Sequence, residues 1–263
     1  MNEQNLLTLA EAKHATEFRV DGVPISLRDR VAPFSDICNF LGVTPVVNLD
    51  EDHCCAYVAA EAGTCVHHCG DRLEHIYVIA SGIAKTMVPK ENEHFIAGFF
   101  VPGEMLGIDG LDGLIYPNAI FALTDLLLLK VPYLVLLKHC KHYPEFDNAL
   151  MRVFADRISG TTAFMEVMAR AKADVKVAYF LSDLATRLGT ACEPADHLDF
   201  AIPRRDIASY LGVAYETLSR ILHDFCDLGI IAMSRSELTI TDHALLQDIC
   251  GGYAERLKIY QGK

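Results

Sequence analysis

Residues 202–231 read IPRRDIASYLGVAYETLSRILHDFCDLGII. Apolar Ile207, Ala208 and Leu211 recur at helical spacing, which predicts a first helix over Arg204–Tyr210. Leu211-Gly212-Val213 breaks that period, and Gly212 can take the positive φ of a tight turn. A second helix is predicted from about Ala214 to Leu228, with Leu218, Ile221, Leu222 and Phe225 as its buried stripe. Its other face carries Tyr215, Glu216, Ser219, Arg220 and His223, with Thr217 beside them. Gly229 stops this helix, and Ile230–Thr241 reads as a small strand pair. Helix, glycine turn, helix and hairpin make a winged helix-turn-helix, whose second helix can offer polar side chains to base edges in a major groove. The competing reading is a helical hairpin packed in a core. Glu216-x-x-Ser219-Arg220 beside the apolar stripe favours the DNA-reading one.

The 263 residues exceed what one small domain needs, and the hydrophobic content of 51% is that of a globular chain. No apolar run reaches the roughly 18 residues that suggest a membrane span. The first residues, MNEQNLLTLAEAKHATEF, lack the basic start and long apolar core of a secretory signal, so a cytoplasmic protein is expected. Net charge is −12, which argues against a non-specific polyanion binder. The helix-turn-helix itself sets Arg204, Arg205 and Arg220 against Asp206, Glu216, Asp224 and Asp227. Specific binding to double-stranded DNA then has to rest on a few placed cations and backbone N–H groups. The nine cysteines are Cys38, Cys54, Cys55, Cys65, Cys69, Cys140, Cys192, Cys226 and Cys250. An odd number in a cytoplasmic chain argues against a disulfide framework.

Upstream, residues 1–45 form a poorly patterned lead-in. Residues 46–143 then read as short strands: Tyr57–Glu61, Thr64–His68, His75–Ala80, Ile83–Val88, Phe95–Val101, Asn118–Leu123 and Asp125–Val131. Gly70-Asp71, Ser81-Gly82, Pro102-Gly103 and Pro117-Asn118 mark the turns. Strands at this spacing predict a jelly-roll-like β-roll. Pro144 opens a long helix, Glu145 to about Ala171, within a segment 144–172. Met151, Phe154, Ile158, Thr161, Met165 and Met168 step along it by alternating threes and fours, the seam of a two-stranded coiled coil, so a homodimer is expected. A second stripe, Leu150, Val153, Phe164 and Val167, is expected to pack on the roll of the same chain. Ala173–Leu188 is a further amphipathic helix, Gly189–Asp199 a polar loop, and Gly251–Lys263 a polar tail beyond a DNA-binding segment 173–250. The expected class is α+β.

A roll, a connecting helix and a winged helix-turn-helix in this order resemble the family of the cyclic-AMP receptor protein and the fumarate-and-nitrate-reduction regulator (CRP/FNR). Gly63 to Asp71, Ser81-Gly82, Pro102-Gly103-Glu104 and Tyr116-Pro117-Asn118 fall in that family's order over roughly residues 50–245. The resemblance implies a dimeric, sequence-specific transcription regulator with RNA polymerase as a further partner. Val213-x-x-Glu216-Thr217-x-Ser219-Arg220 is similar to the oxygen-responsive branch, where the matching Glu, Ser and Arg read bases. That implies an inverted repeat of TTGAT-like half-sites rather than GTGA-type ones. Arg204 and Arg205, at the start of the first helix, suit phosphates, and Tyr215 and Thr217 flank the base readers. Two departures bear on the signal. Cyclic-nucleotide readers need a cation for the phosphate, and Glu91 to Leu129 contains no Lys or Arg, so cyclic AMP is not the expected ligand. The [4Fe–4S] pattern of the oxygen sensors is absent too: Cys38 is the lone cysteine in the first fifty residues, and Leu128 or a neighbour stands where the later cysteine falls.

His53-Cys54-Cys55 and Cys65-Val66-His67-His68-Cys69 are the remaining chemistry-bearing stretch. On a regular strand Cys65, His67 and Cys69 alternate onto one face. Thiolates and imidazole suit zinc, haem iron or an iron–sulfur cluster, and an exposed thiolate suits a redox input. Cys54, Cys55, Cys65, His67 and Cys69 are therefore the candidate metal residues, against the plainer reading of buried cysteines as small apolar groups. Gly63, His67-His68, Glu74 and Gly82 loosely resemble the first metal motif of cupin enzymes. Adjacent histidines point to opposite faces of a strand, and no histidine near Pro102-Gly103 completes a second motif, so an enzyme is not expected. A dimeric scaffold that never binds DNA is the other alternative.

Overall fold

The computed structural model describes residues 30–44, 54–89, 94–189, 194–199, 202–234 and 237–253. Most of the lead-in, the middle of the 189–199 loop and most of the C-terminal tail lie outside the described residues. The chain divides into two compact units, 1–151 and 152–263, with the boundary inside one continuous helix.

The first unit is the expected roll. Its strands are β1 (Arg30–Ala32), β2 (Cys55–Ala60), β3 (Cys65–His67), β4 (His75–Ser81), β5 (Ala84–Pro89), β6 (His94–Phe100), β7 (Met105–Leu106), β8 (Ala119–Ala122) and β9 (Leu126–Pro132). They form two antiparallel sheets, β1-β2-β9-β4-β7 and β3-β8-β5-β6. Ile79, Leu106, Leu126 and Leu128 from the first sheet meet Ala84, Phe100, Ile120 and Ala122 from the second in one apolar cluster. Each large side chain so buried contributes about 1.5–3 kcal/mol. Gly82 shows why the turns fall where they do. Its φ is 89°, and a Cβ there would strike the carbonyl oxygen of Asp125. Only glycine lets β4 turn into β5 against the strand that follows β8.

Part of the lead-in belongs to this unit. β1 pairs with β2, and helix α1 (Ser35–Phe40) buries Ile37 and Cys38. Phe34 stacks on His139 at 3.5 Å between ring centroids and touches Phe146 at 5.1 Å. The anchor is aromatic rather than periodic, so no period revealed it. A short helix α2 (Tyr133–His142), packed against β9, was likewise not expected between the last strand and Pro144.

Helix α3 runs Pro144–Arg170, 27 residues or about 40 Å, with proline at its first position where no N–H is needed. In the second unit, α3 from Arg152 onward is joined by α4 (Ala173–Leu188), β10 (His197–Asp199), α5 (Arg204–Leu211), α6 (Tyr215–Asp227), β11 (Ile231–Met233), β12 (Glu237–Ile240) and α7 (His243–Cys250). The expected strand pair is a three-stranded sheet, β10-β12-β11. Its extra strand comes from the segment read as a polar loop, where Leu198 is fully buried. The expectation that the second stripe of α3 packs wholly on the roll is corrected at its C-terminal end. Phe164 stacks on Tyr210 of α5 at 4.4 Å and 11°, and Phe180 of α4 meets the same ring edge-on at 5.9 Å. A helix of this length outruns one small domain, so its stripe serves two. Among the described residues no helix is long and apolar enough to cross a membrane.

Candidate nucleic-acid interface

The turn between α5 and α6 is built by Gly212, at φ 61° and ψ 38°. Val213 N–H donates to Ala208 O at 3.0 Å and Gly212 N–H to Ser209 O at 3.2 Å, closing the helix end with a left-handed cap. Gly229, at φ 69°, repeats the device after α6, where Ile230 N–H donates to Phe225 O at 2.9 Å. Between these caps Leu218, Ile221, Leu222 and Phe225 are all buried, which fixes the rotation of α6 about its axis. At about 100° per residue, Glu216, Arg220 and His223 then lie within roughly 60° of one another on the open face. All three are exposed, as is Tyr215, while Thr217 is half-buried at the edge. Among the described residues no ion pair or hydrogen bond joins Glu216 to Arg220, so neither charge is spent on the other. His223 and Asp227 extend the stripe as an exposed pair at 3.8 Å.

Two expected contacts sit less simply. The Ser219 hydroxyl oxygen is shielded from solvent and has no hydrogen-bond partner, so in this rotamer it faces protein, not a groove. Arg204 is half-buried and reaches back to the wing, its Nη2 lying 3.9 Å from Met233 Sδ of β11. Arg205 beside it is exposed. The wing is held by contacts that the sequence pattern did not reveal. His243 Nε2 lies 2.8 Å from Asp196 Oδ1, and the Asp242 side chain caps α7 by accepting from Leu245 N–H at 2.9 Å. Asp242, three residues before Leu245, was a readable cap signal.

Along α3, Met151, Ile158 and Met165 are 48%, 68% and 64% exposed, and Thr161 is exposed between them. Phe154 and Met168 on the same seam are half-buried. Thr161 Oγ1 donates to Arg157 O at 2.8 Å, so its hydroxyl is satisfied within its own helix and can enter an apolar seam without cost. Met151, Ile158 and Met165 are thus open to solvent at seven-residue intervals.

The Cys/His stretch departs from the expected alternation. Cys65 pairs with Phe121 and His67 with Ile120, a register slip that puts an extra residue into β3. Val66 and His67 both turn inward as a result, and Cys65, His67 and Cys69 do not share a face. His67 is 6% exposed, stacks on Tyr116 at 3.7 Å, and has neither ring nitrogen hydrogen-bonded. Burial lowers its pKa to about 4, against the opposing pull of Asp109 and Asp71. Cys65 Sγ lies 3.5 Å from His68 Nδ1, while exposed Cys69 donates to Pro117 O at 3.1 Å. Burial pushes the Cys65 thiol up, so it is not an activated thiolate. Cys54 and Cys55 stand apart as a pair, Sγ to Sγ 4.0 Å. Among the described residues no three His, Cys, Asp or Glu side chains gather as a metal set. Glu104 Oε2 accepts from Val101 N–H at 3.2 Å, and Asn118 Nδ2 donates to Asp109 at 2.8 Å, so both polar groups serve the roll's own turns.

Comparison with known proteins agrees with this architecture. A model of the cyclic nucleotide-binding domain matches residues 57–143, and a model of the Crp-like helix-turn-helix domain matches 175–249. The chain is 30% identical over 187 residues to transcriptional activator protein anr of Pseudomonas aeruginosa, covering 71% of this chain and 77% of that one. It is 28% identical over 183 residues to the fumarate and nitrate reduction regulatory protein of Vibrio cholerae, covering 69% and 73%. Among solved structures, FixK2 from Bradyrhizobium japonicum superposes with a TM-score of 0.67 at 21% identity, over 74% of this chain and 96% of that one. At that identity the likeness is one of fold. The family is one of transcription regulators, which sets aside the β-roll enzyme. With a cyclic nucleotide-binding domain and a Crp-like helix-turn-helix domain matched in order, and a 30% identical relative covered over 77% of its length, the chain belongs to the CRP/FNR family of DNA-binding transcription regulators.

Proposed function

We propose that this regulator works as a homodimer, joined along α3, that reads an inverted repeat of TTGAT-like half-sites. The observation that carries this is the open face of α6, where Glu216 and Arg220 are exposed and unpaired on a helix locked by four buried side chains. Arg220 can fork onto a guanine O6 and N7, and Glu216 can accept from a cytosine or adenine amino group one turn earlier. Ser219 joins them by rotating its hydroxyl out from the shielded position, with Tyr215 and Thr217 at the margin. Arg205 takes phosphate, and Arg204 does so from its seat on the wing. The exposed seam Met151, Ile158 and Met165 is the face that pairs, with Phe154, Thr161 and Met168 filling between. Two-fold symmetry then sets two α6 helices about 34 Å apart on one side of the duplex.

In this reading residues 46–143 sense, 144–172 dimerise and 173–250 bind DNA, with 1–45 leading in. RNA polymerase is the further partner, and the bacterial cytoplasm the place of action. Cyclic AMP is not the signal, because residues 91–129 offer no Lys or Arg to its phosphate. The test is a gel shift of purified protein against an inverted TTGAT repeat and the same duplex with scrambled half-sites. Preference for the intact repeat is expected; equal binding to both rejects the half-site.

A further inference from the structure

The paired thiols at the start of β2 are the feature that DNA reading leaves unused. Cys54 precedes the strand and Cys55 is its first residue, so the backbone is not yet regular and both side chains reach the same side, 4.0 Å apart at sulfur. Cys55 is buried opposite Ala32 of β1, and Cys54 is half-buried. Helix α1 supplies two more acidic groups, buried Asp36 and buried Cys38. We propose that Cys54 and Cys55 form a binding site for a soft monovalent metal ion, with copper(I) the cation whose chemistry the site fits.

Three observations support the choice of ion. The donors are sulfur, which selects soft metals over magnesium, calcium or manganese. The surroundings are acidic: buried Asp36 and Cys38 of α1 lie near Cys55. The ligand count is low. Structural zinc takes four ligands in a tetrahedron, and among the described residues no third His, Cys, Asp or Glu completes such a set. An ion held at about 2.3 Å from each sulfur would subtend about 120° across the 4.0 Å gap, the angle of a three-coordinate site, which leaves one position for a thiol from solution. On binding, each thiol loses its S–H proton to solvent and forms one metal–sulfur bond. Two protons leave, one copper(I) enters, and nothing is oxidised or reduced. The site lies where β2 meets β1 and α1, so occupancy would stiffen the edge of the five-stranded sheet.

The proposal does not depend on the DNA-binding reading and is tested without DNA. Full-length protein, reduced and kept from air, is titrated against copper(I) held by a coloured chelator. The parent is expected to withdraw about one copper(I) per chain, and Cys54→Ser and Cys54→Ala to bind at least about tenfold more weakly, a difference of about 1.4 kcal/mol. A Cys65→Ser, Cys69→Ser double variant is expected to bind as the parent does. Independently of any variant, bound copper(I) should protect Cys54 and Cys55 of the parent from alkylation, read by peptide mass. The proposal is overturned if the Cys54 variants compete as well as the parent, or if uptake is lost only with Cys65 and Cys69. Tighter binding of zinc than of copper(I), or equal alkylation with and without copper(I), overturns it too.

Discussion

Replacing Ile158 with glutamate is the sharpest test of the pairing face. Ile158 is 68% exposed on a helix whose neighbouring seam residues, Met151 and Met165, are also open. Burying a whole isoleucine side chain stabilises by about 1.5–3 kcal/mol, so covering the two thirds still exposed contributes roughly 1–2 kcal/mol per chain. A two-fold interface counts it twice, about 2–4 kcal/mol. Ile158→Glu forfeits that and sets two carboxylates against each other in an apolar seam. At 1.4 kcal/mol per tenfold, dimer dissociation should strengthen by at least about 30- to 700-fold. Asp156→Ala, about 160° round the helix and also exposed, is the control and should change little. Sedimentation velocity across a concentration series reads both. If Ile158→Glu sediments as the same dimer as the parent at every concentration, the seam is not the interface.

Three further outcomes follow from single side chains. His67 stays neutral down to about pH 4 in the folded chain, whereas an unfolded histidine protonates near 6.5, so the unfolded state binds more protons between those values. Stability should therefore fall by up to about 3 kcal/mol as pH drops from about 6.5 to 4, and His67→Phe, which keeps the stack on Tyr116, should remove that part of the slope in urea melts; an unchanged slope contradicts the burial argument. The Ser219 hydroxyl has no partner, so Ser219→Ala should leave the free protein as stable or more so, and a loss above about 1 kcal/mol would show a hydrogen bond that the structure lacks. Arg205→Ala should weaken all DNA sites alike and lower the slope of log affinity against log salt by about one unit. A change of base preference would move Arg205 from phosphate to groove.

Much of this was legible in the chain. Seven of the strands follow from turn residues and apolar runs, because most turns of the roll carry a glycine or proline; β9, with Leu126 to Leu129 all buried, is legible as a continuous apolar run instead. The reading helix follows from Leu218, Ile221, Leu222 and Phe225 alone, since their burial fixes where Glu216 and Arg220 must point. What escaped is held by tertiary contacts without a period. Phe34 anchors the lead-in by stacking on His139, a partner about a hundred residues away. His197–Asp199 joins the wing only because β12 is there to pair with it. The bulge in β3 undid the alternation of Cys65, His67 and Cys69, as a single extra residue must when faces repeat every second position. Ser219 and Arg204 lie on the helices that the spacing predicts, but rotamer and neighbour decide what their polar atoms meet.

The central claim is that α6 reads DNA sequence through Arg220 and Glu216 from a two-fold dimer. Selection from a random-site duplex library, run in parallel with the parent, Arg220→Ala and Glu216→Ala, measures it directly. The parent should enrich an inverted repeat whose half-sites are centred about one helical turn apart. Arg220→Ala should cost about 1–3 kcal/mol and relax preference at one base pair per half-site, with Glu216→Ala relaxing a neighbouring one. If no repeat is enriched, or if both variants select the parent's site with the parent's base preferences, the open face of α6 is not what reads the sequence.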